Sequence, residues 1–106
     1  MKFEINGNVW GIKEISSADM DYKFEVNGFT HGITIYSEHM IYLNIESPDI
    51  LRTLKHELMH VWLYEYGHNQ DNRDFNYEDV CEIVASSNDF INMIVDKYKQ
   101  EIKQNG

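Results

Sequence analysis

Cysteine is nearly absent from this chain. Cys81 is the only one among 106 residues, so no disulfide can form within it, and a reducing compartment is the simpler expectation. A long apolar run is missing too. No stretch approaches the length that spans a bilayer, and the opening MKFEINGNVW lacks the apolar segment of a secretory signal. We therefore expect a cytoplasmic protein that does not enter a membrane. Basic residues are scarce: nine Lys and Arg stand against 18 Asp and Glu, a formal net charge of -9. Nucleic acid and anionic membrane both demand basic patches, so neither is expected as a partner.

What the chain does have is a core. Hydrophobic residues make up 42% and aromatics 13%, a globular composition. The length suits one domain over residues 1–106, a monomer by default, with room for a shallow site.

Residues 2–45 read as strands. Two segments echo each other, KFEING at 2–7 and KFEVNG at 23–28, each alternating up to an Asn-Gly pair that suits a tight hairpin turn. GITIY at 32–36 and IYLNI at 41–45 form a further strand pair around a four-residue loop. Ser47 is then placed to cap a helix, with Pro48 at its first position and Asp49 in its first turn. Gly67 ends it, giving a helix of roughly 48–66. After a polar loop, Asn76 caps a C-terminal helix, long and with a break expected near 86–89, whose tail KQNG frays. Strands first and helices second make an α+β pattern.

Inside the first of those helices stands HELMH, residues 56–60. Residues i and i+4 share a helix face, so His56 and His60 can aim at one point. Neutral imidazole suits Zn²⁺, and Glu57, between them, can take a proton from a water that the ion activates. Catalytic zinc usually has a third protein ligand. A histidine at the metzincin spacing would fall at 66, which is Tyr66, and His68 comes two residues too late. Glu78, in the first turn of the next helix, is the leading candidate. Glu82, one turn on, suits a carboxylate that orients a zinc histidine; Glu82 or Cys81 as the ligand remain alternatives.

HELMH followed by EDVCEIVA (78–85) resembles the gluzincin metallopeptidases, most closely the compact ImmA/IrrE-type proteins and the minigluzincins. The resemblance covers roughly residues 30–98. It implies one zinc per chain on His56, His60 and Glu78, with Glu82 supporting a histidine and Glu57 as general base. It also implies a peptidase acting on a protein or peptide, latent or restricted to one partner; a zinc-containing binding module without catalysis is the alternative. Larger gluzincins add a downstream histidine for the oxyanion. No histidine follows His68 here, and Tyr36, His39, Tyr64, Tyr66, Tyr77 and His68 are all candidates for that donor.

Overall fold

The computed structural model describes residues 1–25, 28–67 and 76–105, without the side chains of 104 and 105. Four strands and three α-helices follow in the order β1 (Lys2–Ile5), β2 (Asn8–Ile15), α1 (Ser17–Phe24), β3 (Gly32–Ile35), β4 (Met40–Asn44), α2 (Ile50–Glu65) and α3 (Tyr77–Asn105), with one short 3-10 turn at Tyr36–Glu38. The α+β expectation holds, with the HELMH helix and one long C-terminal helix after the sheet.

The first hairpin forms as its sequence dictates. Asn6 and Gly7 take positive φ values of 52° and 80°, the conformation a two-residue hairpin loop requires, and Ile5 pairs with Asn8 across it. The loop is also anchored, because Asn6 and Asn8 both donate to Glu65 at the end of α2.

Lys23 and Phe24, which open the echo at 23–28, belong to a helix and not to a strand. Residues 17–24 are helical, a correction to the strand expectation. Ser16 accepts a hydrogen bond from the Asp19 amide at 3.1 Å, so Ser-x-x-Asp starts a helix, and local alternation in KFE is overridden. Glu25 ends that helix in the left-handed region; residues 26 and 27 lie outside the described part.

The sheet order is β1-β2-β4-β3. Both outer pairs are antiparallel, but β2 and β4 run parallel, so the sheet is mixed and not antiparallel throughout. A parallel pair needs a crossover, and the α1–β3 segment supplies it. Strand alternation then divides the two faces. Phe3, Ile5, Trp10, Ile12, Ile41 and Leu43 pack with Leu54, Leu58 and Val61 of α2 and with Ile91, Ile94, Val95 and Tyr98 of α3. Tyr42, between Ile41 and Leu43, points to the opposite face, where it meets Phe24 of α1 edge-on at 5.0 Å.

Two helix boundaries differ from expectation. Asp49, not Ser47, caps α2, accepting from the Arg52 amide at 3.1 Å; Ser47 instead bonds His31 and Thr53. In α3 there is no break near 86–89, and the helix runs through Asn105. Asn76 starts it as expected: its side chain accepts from the Asp79 amide at 2.8 Å while Asp79 accepts from the Asn76 amide at 3.2 Å, a reciprocal cap.

Leu58 is fully buried at the centre of this core. Leu58→Ala should cost about 2–5 kcal/mol, read as a lower denaturant midpoint. Tyr42 gives a second, independent check. Burial, and then the Glu38 carboxylate that accepts its hydroxyl proton at 2.7 Å, push its pKa up from 10.0 to about 12. A raised tyrosine pKa contributes stability that is complete below the unfolded value and is lost as pH climbs through the folded one. Tyrosinate absorbance should therefore show Tyr42 titrating near the top of the pH 10–12 window, and Glu38→Gln should bring it part of the way down.

Candidate metal centre

Helix α2 is buried through Leu54, Glu57, Leu58 and Val61, the i, i+3, i+4, i+7 pattern of a core-facing stripe. One of those four positions holds a carboxylate. On the flank beside that stripe, α2 meets the edge strand β3. Gly32 is what permits the approach: a Cβ there would lie 2.7 Å from Thr53 Cγ2 and 3.3 Å from Glu57 Cγ. Thr34, two residues on and so on the same strand face, donates to Glu57 Oε1 at 3.4 Å.

His56 and His60 emerge beside Glu57. Their Nε2 atoms are 3.2 Å apart, with the rings at 75°. Two ligands at 2.0–2.1 Å subtending a tetrahedral angle would be separated by about 3.3 Å, so the pair is spaced as a zinc ion requires. Two imidazoles can also hold this spacing through one N–H···N hydrogen bond, and the metal titration below separates the two cases. His56, Glu57 and His60 form the one group of three metal-ligating side chains among the described residues whose donor atoms all lie within 4.8 Å. Tyr36 Oη is 3.5 Å from His60 Nδ1, leaving Nε2 for the ion, and the Tyr36 ring stacks on Tyr64 at 4.7 Å.

Glu57 is 5% exposed. Burial pushes its carboxyl above the ordinary carboxylate value, and the His60 and His56 charges, then the Thr34 hydroxyl, pull it partly back. A carboxylate raised in this way is a stronger base than a surface glutamate.

The structure does not bring Glu78 to the histidine pair. Helix α3 packs against the other flank of α2, where Trp62 meets Phe90 at 5.6 Å and Trp62 and Tyr66 share a groove with Asp79, Glu82 and Ile83. On a 3.6-residue helix, the Trp62 and Tyr66 side lies far around the axis from His56 and His60. Glu78 and Cys81 are exposed. Glu82 is exposed too and accepts from Ser86 at 3.3 Å, with no contact to either histidine. Lys99, Gln100, Ile102 and Lys103 near the end of α3 share a groove with Ile50 and Leu51, and none of them lines the histidine cleft.

Of the oxyanion candidates, Tyr36 reaches His60, and Tyr64 stands behind it, stacked on the Tyr36 ring. Tyr66 tilts onto Trp62, Tyr77 is 92% exposed at the start of α3, and His39 stacks on Trp10 at 4.6 Å. His68 lies outside the described residues. The sequence reading missed His31, which lines a cleft of about 630 Å³ together with Arg52, His56, Glu57 and His60. Its Nδ1 is held by Ser47 Oγ at 2.9 Å. His31 stands just ahead of β3, and only the pairing of that strand could have pointed to it.

Comparison with protein-family models, with curated proteins and with solved structures returns no significant match. No described helix is long and apolar enough to cross a membrane.

Zinc should bind at one ion per chain in a competition titration against a chromophoric chelator. His56→Ala or His60→Ala should weaken it by at least about 100-fold, since losing even an outer partner of a ligand costs about 10–100-fold. Glu78→Ala and Glu82→Ala should leave the affinity within about 2-fold, as neither touches the pair.

Proposed function

We propose that this chain is a divalent-metal-dependent peptide hydrolase, with zinc the favoured ion, of the general kind the gluzincin resemblance implies. One observation carries the reading: a buried carboxylate of raised pKa, Glu57, lies within 4.8 Å of two imidazoles whose Nε2 atoms are 3.2 Å apart. His56 and His60 would hold the ion. Bound there, it would polarise a carbonyl and lower the pKa of water towards neutral.

The rest is the work of this chain's own side chains. Glu57 takes a proton from the attacking water, whose oxygen bonds to the carbonyl carbon. The C–N bond then breaks, and Glu57 returns the proton to the departing amine. Thr34 keeps the Glu57 carboxylate from rotating away, and Tyr36 fixes the His60 ring through Nδ1. Strand β4 is internal to the sheet, whereas β3 lies at its edge. An extended peptide would add to β3 by backbone hydrogen bonds, beside Thr34 and Glu57.

A non-catalytic zinc module would have no use for a carboxylate at the one polar position of the buried stripe. The two readings part on mutation. Glu57→Gln should retain zinc and lose about 10²–10⁴-fold in peptide cleavage, measured by mass spectrometry of a peptide mixture. If Glu57→Gln cleaves as fast as the wild type, the hydrolase assignment is wrong.

A further inference from the structure

The cleft that holds the two imidazoles has a charged end. Arg52 lines it, one helical turn ahead of His56 on α2. Residues i and i+4 neighbour each other on a helix surface, so the Arg52 guanidinium and the His56 ring border one continuous opening. Among the described residues, Arg52 is the only lysine or arginine lining it. Among the described residues the guanidinium makes no hydrogen bond and no ion pair; the sole ion pair there joins the Met1 ammonium to Glu101. Asp49, an acid that shares the cleft lining, caps α2 by accepting the Arg52 amide proton at Oδ1 and makes no ion pair with the guanidinium. In a chain with twice as many acids as bases, Arg52 gives this cleft a fixed positive charge without an ion-pair partner, alongside Asp49 and the buried Glu57.

We propose that Arg52 is a specificity-determining residue that binds a carboxylate of the substrate. The substrate class is then a peptide with a carboxylate one or two residues from the bond that is cut. The separation sets that number: one helical turn is about 5.4 Å, and an extended peptide advances about 3.3 Å per residue. A guanidinium fork suits a planar carboxylate in two parallel hydrogen bonds. The carboxylate comes from a C-terminus or from a glutamate or aspartate side chain, two sources with the same chemistry.

This inference rests on the hydrolase reading for its cleavage arm and on geometry alone for its binding arm, so the test measures both. The probes are N-acetylated tetrapeptides in three forms: with a free C-terminal carboxylate, as the C-terminal amide, and as that amide with one internal glutamate. Binding is followed on zinc-loaded Glu57→Gln by fluorescence anisotropy, and cleavage on the zinc-loaded wild type. The free acid or the glutamate amide should bind and be cleaved about 10- to 100-fold better than the neutral amide; which of them does so names the source of the carboxylate. Arg52→Gln should erase that preference while leaving the neutral amide unchanged and zinc affinity intact. Cleavage without carboxylate preference, or a preference that survives Arg52→Gln, overturns the proposal and leaves the hydrolase reading standing. Preferential binding that depends on Arg52, with no cleavage of any form, supports the proposal and overturns hydrolysis. Absence of both overturns both.

Discussion

The contact on which the site depends is the approach of strand β3 to helix α2. It is made possible by a missing side chain. Gly32 lets the strand backbone come close enough that a Cβ would strike Thr53 and crowd Glu57. That closeness takes Glu57 out of water and puts Thr34 within reach of its carboxylate. Without it, HELMH would be two histidines and a glutamate on a solvated helix face, and the glutamate would titrate as an ordinary surface acid.

The same helix serves two neighbours on two flanks. Thr53, Glu57, His60 and Tyr64 recur at spacings of three and four and lie towards β3 and Tyr36, while Trp62 and Tyr66 lie towards α3. A third metal ligand from α3 would have to come around the helix. The chain length between His60 and Glu78 is ample for a return, and the return is made, but on the other flank. Besides α2 itself, the described lining of the cleft comes from His31 and Gly32 at the start of β3 and from Ser47, Pro48 and Asp49 ahead of α2.

Much of this was legible in the residues. Asn6-Gly7 reads as a hairpin because it takes the positive φ values a two-residue loop needs. HELMH reads as a paired-imidazole site because i and i+4 share a face. The helix at 17–24 was missed although Ser16 and Asp19 spell its cap, because KFEVNG copies a segment that is a strand elsewhere in the chain. Identical short strings adopt different structures when the cap and the tertiary contacts differ. Glu78 was favoured from spacing along the chain, and spacing does not say which flank a returning helix takes. That is decided by where the apolar residues lie: Ile91, Ile94, Val95 and Tyr98 of α3 join the core, and beside them Phe90 meets Trp62 of α2 at 5.6 Å.

Leu54, Glu57, Leu58 and Val61 occupy the four buried positions of α2, so the glutamate of HELMH stands where the helix pattern calls for an apolar residue. Burying a carboxylate costs free energy unless it is paired, and folding alone would favour a leucine there. The cost is offset in part by the neighbouring imidazoles and the Thr34 hydroxyl, which all favour the charged form. The balance leaves Glu57 with a raised affinity for a proton. A small fold can tune a base this way by lending it one core position on a helix and closing the remaining side with an edge strand, and both elements are also what an extended peptide would meet on entering the cleft.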